Sequence, residues 1–210
     1  MIPSYRDRVE LIQSFKGIGV EVGCATGWYS NRILLNPAVS LLISIDPFSQ
    51  SDANECNLSP PSYLQEARIT LDQYGNRSQI LKLYSAEASY LFKDEYFDFV
   101  FIDADHEQIS VLKDMDYWWP KVKPEGILAG HDYSGIHPGV KAAVDQFVFE
   151  EKGIKLCTTE LDQIWEGVTI SSWYFQKPGY HYAQAEEDCN SPTGSSCIPT
   201  SPKQAFVKVG

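Results

Sequence analysis

Short apolar runs rich in branched residues alternate along the chain with segments of helical period. The runs are GIGVEV, LLISID, QILKLY, FDFVFID and GILAGH, at residues 17–22, 41–46, 79–84, 97–103 and 126–131. Near-continuous apolarity of this kind marks strands covered on both faces. Between the runs, Trp28–Asn36, Tyr63–Gly75, Ala86–Phe92, Glu107–Trp119 and Pro138–Glu150 read as helices. In the last of these, Val140, Val144, Phe147 and Val148 share one face, and Pro138 stands in the first turn, where its missing N–H costs nothing. The alternation predicts an α/β fold: a Rossmann-like, doubly wound, mostly parallel sheet. After the last helix come IKLCTTE and GVTISSWYFQK, two β-like segments joined by a short turn. They predict an antiparallel C-terminal hairpin at one edge, bringing the sheet to seven strands. Residues 1–177 therefore read as one domain. From Pro178 to Gly210 the chain is polar with scattered Pro, Gly and Ser, and is expected to be a tail or linker that adds nothing to activity.

Composition narrows the partners. Basic and acidic side chains number 17 and 28, a formal charge of −11. Nucleic acid and anionic membranes are disfavoured, because both need clustered Lys and Arg, and a small-molecule partner fits better. The start MIPSYRDRVE puts charges where a signal peptide needs an apolar core, and no apolar run approaches the roughly 20 residues that span a bilayer. A cytoplasmic protein is expected. The five cysteines, at 24, 56, 157, 189 and 197, show no Cys-x-x-Cys spacing, and an odd number suits reduced thiols, although the two in the tail are free to pair.

The stretch EVGCATG, Glu21 to Gly27, lies where the first strand hands over to the first helix. Glycines there allow a tight turn and a close approach of ligand to backbone. The dinucleotide pattern G-x-G-x-x-G fails, since Ala25 and Trp28 occupy its later glycine positions, and the phosphate-loop pattern fails because Trp28 follows Gly27. The stretch resembles instead the first motif of class I S-adenosylmethionine-dependent methyltransferases, acid-x-Gly-x-Gly-x-Gly. Glu21, Gly23 and Gly27 match, and Ala25 replaces the middle glycine. An acid suits a cofactor that carries an ammonium and a sulfonium and no pyrophosphate. Asp46 ends the second strand 19 residues after Gly27, near the ~20-residue spacing at which a carboxylate meets ribose hydroxyls. The resemblance places Ser85, Ala86 and Glu87, after the third strand, near the adenine.

Further on, YFDFVFIDADHEQ, WWPKVKPEGILAGHDY and HPGVKAAVDQF are similar to the small metal-dependent branch that includes sugar and macrolide O-methyltransferases and, more distantly, catechol and caffeoyl-type enzymes. That resemblance implies a divalent metal, Mg²⁺ or Mn²⁺, held by Asp103 and the pair His131-Asp132, where the branch usually carries Asp-Asp or Asp-Asn. It also implies Asp103 beside the cofactor and His106 as the catalytic base. The chemistry is coherent: oxygen ligands at adjacent strand ends converge on the crevice where such folds bind ligands, and a hard cation there lowers the pKa of an acceptor hydroxyl. A histidine with an unperturbed pKa of ~6.5 then takes the proton.

Other polar residues have plainer expectations. Asp105 and Gln108 have the spacing of a helix capping box. His137, before Pro138, reads as a cap or surface residue, and Tyr117, Trp118 and Trp119 read as packing. The tetrapeptide of amino-methylating enzymes is absent after the fourth strand, and SPPSY at 59–63 reads as a helix start. A metal-free methyltransferase and a non-catalytic binding member of the fold stand as alternatives. Either residues 47–63 act as a lid or a second subunit, in a homodimer, closes the site.

Overall fold

The computed structural model describes residues 3–49, 60–151, 154–165 and 167–179. Eight strands occur among them: β1 Gly17–Val22, β2 Val39–Ile45, β3 Ser78–Leu81, β4 Phe97–Ile102, β5 Val122–Tyr133, β6 Cys157–Thr158, β7 Gln163–Trp165 and β8 Val168–Gln176. The helices are α1 Arg8–Leu11, α2 Trp28–Leu34, α3 Pro60–Leu71, α4 Ser85–Ser89, α5 Gln108–Trp118 and α6 Pro138–Glu150. The sheet order is β3-β2-β1-β4-β5-β8-β6, with β7 paired to β8 off this path. The β1–β2, β1–β4, β2–β3 and β4–β5 pairs are parallel, and β8 runs antiparallel to β5, β6 and β7. This is the doubly wound arrangement with its antiparallel C-terminal edge. Strand order reverses direction between β1 and β4, and ligand crevices in open sheets form outside the strand ends at such a point.

Helices cover both faces, which is why the strands read as apolar runs and not as alternation. Val100 and Ile102 of β4 pack with Val111, Met115 and Trp118 of α5 and with Val140, Val144 and Phe147 of α6. Phe99 and Phe101 pack on the other side with Tyr29, Ile33 and Leu34 of α2 and with Phe15 from the N-terminal segment. Trp118 is fully buried, and Trp119 meets Phe147 and Phe175 edge to face, so the aromatic group at the end of α5 is packing, as expected.

Several details differ from the pattern-based expectation. Strand β5 begins at Val122, earlier than the apolar run, because Lys123 and Glu125 lie at its exposed start. A third antiparallel strand, β7, was not foreseen: its three residues are all exposed and carry no burial signal. Helix α3 starts at Pro60, as SPPSY implied. Most of the 47–63 lid segment, and residues 180–210 of the predicted tail, lie outside the described residues. Among the described residues no helix is long and apolar enough to cross a membrane.

Candidate functional site

Strand β1 hands over to α2 through a turn in three left-handed steps: Gly23 at φ +90°, Ala25 at +45° and Gly27 at +78°. Glycine takes such angles freely, while alanine is strained there. A β-carbon on Gly23 would stand 2.0 Å from the carbonyl oxygen of Asp103, so this position needs glycine twice over. Asp46, from the end of β2, braces the turn. Its Oδ2 accepts from the Ala25 amide at 2.9 Å and its Oδ1 from the Phe48 amide at 2.7 Å. Glu21 lies beneath the turn, 1% exposed. It accepts from the Ser30 hydroxyl, and Ser44 donates to Ser30 at 3.1 Å. Burial, with a smaller push from Asp103 and Asp46, raises the Glu21 carboxyl to about 8 despite the Ser30 bond and the Arg8 charge. Glu21 thus belongs to the buried support of the turn.

Ser85, Ala86 and Glu87 open α4. The Ser85 hydroxyl accepts from the Trp118 indole at 2.9 Å, and the Glu87 carboxylate accepts from the Tyr84 amide at 3.2 Å. These two side chains fix the helix start.

The second half of the site is built on the ends of β4 and β5. Asp103 follows β4. Between Gly130 and Tyr133, strand β5 advances three residues while its partner β8 advances two, from Trp173 to Ser171. That extra residue is a β-bulge, and Asp132 in it takes φ +63°. Successive side chains of a regular strand point to opposite faces; the bulge lets His131 and Asp132 serve one site. The Trp173 indole donates to the His131 carbonyl at 3.1 Å and steadies the bulge.

One ligand atom each from Asp103, His131 and Asp132 lies within 4.8 Å of the others. His131 Nδ1 stands 2.9 Å from Asp132 Oδ1. His131 Nε2 is buried without a hydrogen bond, with Asp162 Oδ2 at 3.6 Å. A buried imidazole nitrogen left without a hydrogen bond is costly, and among carboxylates it fits a cation. Arg8 already brings one positive group to the acids, its Nη1 reaching Asp103 Oδ2 at 3.4 Å. Two carboxylates and an imidazole are thus a donor set that fits a divalent metal. Burial raises the Asp103 carboxyl, helped by Asp132 and opposed by His131, Arg8 and His106. Burial also acts to raise Asp132, but hydrogen bonds from His106 and His131 and the charge of both rings outweigh it, holding that carboxyl far below the usual range.

His106 Nε2 stands 3.0 Å from Asp132 Oδ2, so the expected base and the expected ligand are partners. Asp105 and Gln108 do not form the capping box. Asp105 accepts from the Glu107 amide at 3.0 Å, Gln108 reaches Gln146 on α6 instead, and Glu107 is the residue that precedes α5. His137 makes no side-chain cap on α6. Its ring lies against His106, centroids 4.0 Å apart, with Nε2 3.7 Å from Asp132 Oδ1. Ile102, Val111, Val140 and Trp173 wall the cleft that holds these groups.

Sequence reasoning missed three residues here. Arg8 arrives from α1, its backbone amide bound to Asp162 Oδ1 at 2.6 Å and its guanidinium over the Trp28 and Tyr29 rings. Asp162 is fully engaged, also accepting from Ser172 at 2.6 Å. His137 is the third, and its place five residues after Asp132, in the loop that follows β5, was the available signal.

Comparison with known proteins agrees with this architecture. A curated relative, an uncharacterized protein of Acanthamoeba polyphaga mimivirus, is 27% identical over 135 residues, which cover 61% of this chain and 58% of the relative. The chain thus spans little more than half the length of that relative. Among solved structures, the O-methyltransferase from Bacillus cereus in complex with SAH superposes with a TM-score of 0.54 at 18% identity, covering 79% of this chain and 76% of that one. An rRNA methylase from Streptococcus thermophilus gives 0.59 at 10% identity, covering 80% and 92%. At these identities the likeness is one of fold. The family described as "Methyltransferase domain" matches residues 18–133, more than half of the 210, and the chain belongs to that methyltransferase family.

Proposed function

We propose that the chain transfers the methyl group of S-adenosylmethionine to a hydroxyl of a small molecule, in the cytoplasm, with the help of Mg²⁺ or Mn²⁺ held by Asp103, Asp132 and His131. The convergence of those three side chains, one backbone contact from the Gly23–Gly27 turn, carries the reading. Gly23, Ala25 and Gly27 would line the cofactor with backbone, Asp46 would accept from its ribose hydroxyls, and the Ser85–Glu87 backbone would face the adenine. Glu21, neutral beneath them, holds the turn through Ser30. Bound there, S-adenosylmethionine would supply the methyl group, and a cation held by Asp103, Asp132 and His131 would supply Lewis acidity that lowers the pKa of the acceptor hydroxyl. Asp132, an acceptor only, accepts a hydrogen bond from Nε2–H of His106 and leaves Nδ1 as the basic nitrogen, which would receive the hydroxyl proton. Ile102, Val111, Val140 and Trp173 would give the reacting groups an apolar wall on one side.

The Bacillus cereus likeness supports oxygen as the acceptor atom. The charge of −11 opposes an RNA substrate, whatever the fold shares with an rRNA methylase. One observation favours a metal-free variant of the reaction: Arg8 already offsets Asp103, so Asp103 and His106 would then orient the acceptor by hydrogen bonds alone. The test is S-adenosylhomocysteine release over a panel of vicinal diols on sugars and catechol-like phenols, with and without EDTA. Loss of turnover in EDTA and its return with Mg²⁺ or Mn²⁺ is expected; full turnover in excess EDTA on a genuine acceptor selects the metal-free form.

A further inference from the structure

Asp132 sits at the centre of a second cluster. His106 comes from the loop after β4, and His137 from the loop after β5, at the threshold of α6. One ligand atom from each lies within 4.8 Å of the others and of an Asp132 oxygen. The two rings are tilted against each other, centroids 4.0 Å apart and planes 34° from parallel, and each brings its Nε2 nearest the carboxylate. His106 Nε2 is 3.0 Å from Oδ2, and His137 Nε2 is 3.7 Å from Oδ1. The loops that carry them cannot drift apart easily: a β-carbon on Gly139 would stand 2.3 Å from the His106 carbonyl oxygen. The site is partly open, with the His106 side chain 37% and the His137 side chain 25% exposed, so an ion can enter from solvent.

From this convergence we infer that His106, Asp132 and His137 form a second metal site, selective for borderline transition-metal ions such as Zn²⁺, Co²⁺ or Ni²⁺. Two imidazole nitrogens and one carboxylate oxygen suit those ions, whereas Mg²⁺ and Mn²⁺ prefer the more oxygen-rich set of Asp103, Asp132 and His131. The two sites share Asp132, which has an oxygen facing each side. An ion in the second site is bound by His106 Nε2, which leaves the ring's proton on Nδ1, the nitrogen proposed as the base, so Zn²⁺ acts there as an inhibitor even when Mg²⁺ is abundant. The inference concerns metal binding and holds whether or not a methyl acceptor is known.

The experiment titrates the full chain with Co²⁺ and follows visible d–d absorption, then repeats the titration with Zn²⁺ competing. Four proteins are compared: wild type, His137→Ala, His137→Gln and Asp103→Asn. Expected are Co²⁺ bands in wild type and in Asp103→Asn, because that variant spares the second site. Both His137 variants are expected to bind Co²⁺ at least about tenfold more weakly, with Mn²⁺ binding within about twofold of wild type. Circular dichroism and the unchanged Mn²⁺ binding establish that the variants are folded. The inference is overturned if both His137 variants bind Co²⁺ as wild type does, or if Asp103→Asn alone removes the Co²⁺ bands.

Discussion

Gly23 and Asp103, at the ends of the neighbouring strands β1 and β4, touch through their backbones: a β-carbon on Gly23 would lie 2.0 Å from the Asp103 carbonyl oxygen and 2.9 Å from the Ala104 α-carbon. The turn proposed to hold the methyl donor and the aspartate proposed to hold the metal are therefore one mechanical unit. Small displacements on either side pass to the other, because both partners in the contact are backbone.

Gly23→Ala tests this. The new methyl group meets backbone that cannot rotate away, and φ +90° is forbidding for alanine. A loss of several kcal/mol is expected, read as a lower denaturation midpoint in urea. Both S-adenosylmethionine and Mn²⁺ affinities should fall in the folded fraction. A variant as stable as wild type would show that β1 and β4 separate more freely than their contact implies.

Ala25 is the opposite case. It holds φ +45° without a glycine's freedom, and its amide is needed by Asp46. Ala25→Gly keeps that hydrogen bond and relieves the strain, so stability should rise by roughly 0.5–1 kcal/mol. Cofactor affinity should hold or improve, as measured by calorimetry. A lower melting temperature would mean that the alanine methyl packs usefully.

The sheet was legible in the sequence because its strands are buried on both faces, and burial writes an apolar run. Gly23 and Asp103 were legible because they sit where such runs stop. The bulge at Asp132 was not, since a bulge is a matter of register against Trp173 and Ser171, and register leaves no mark in one strand alone. His137 and Arg8 escaped for a related reason. Each reaches the site by a long-range contact, Arg8 through Asp103 and Asp162, while its local sequence says only cap or surface. Asp46 and Glu21 were placed correctly at strand ends, but their roles as brace and buried support depend on Ala25, Phe48, Ser30 and Ser44, which only the folded chain brings to them.

Glu21 gives the protein a built-in pH dependence. Its carboxyl ionises near 4.5 in the unfolded chain and at about 8 in the folded one. Between those values the unfolded state holds fewer protons, so stability falls as pH rises from 4.5 to about 8 and changes no further above it. Glu21→Gln cannot ionise. Its advantage over wild type should grow from near nothing at pH 5 to about 2–4 kcal/mol at pH 8. Parallel melting curves for the two proteins across that range would remove Glu21 as the source.

Gly139 holds the His106 loop from the side of α6. A β-carbon there would stand 2.3 Å from the His106 carbonyl oxygen and 2.8 Å from the Gln108 amide nitrogen. Gly139→Ala should cost roughly 1–3 kcal/mol of stability through overpacking. It should also lower kcat more than it raises KM, because it shifts the base and leaves Asp46 and the turn in place. An unchanged kcat on a working acceptor would argue that His106 tolerates displacement, and hence that it is not the base.

Asp132 concentrates the site's strain and its charge in one residue, and two substitutions separate them. Its φ of +63° is one that asparagine accepts and alanine resists. Both Asp132→Asn and Asp132→Ala remove the carboxylate. Because its folded pKa lies below the ordinary value, ionised Asp132 stabilises the fold at neutral pH, and that contribution fades as pH falls through the acid range. Both variants should therefore be less stable than wild type at pH 7, and alanine less stable than asparagine by about 1 kcal/mol for the backbone alone. Metal binding should follow the charge and ignore the backbone: Mn²⁺ affinity should drop in both by at least about 10–100-fold, the loss seen when even an outer-shell partner of a metal ligand is removed. Turnover should fall further than metal loss explains, since His106 loses the acceptor that fixes its tautomer. The decisive measurement is Mn²⁺ titration of Asp132→Asn by electron paramagnetic resonance. Wild-type affinity in that variant removes Asp132 from the ligand set and leaves the ion to Asp103 and His131.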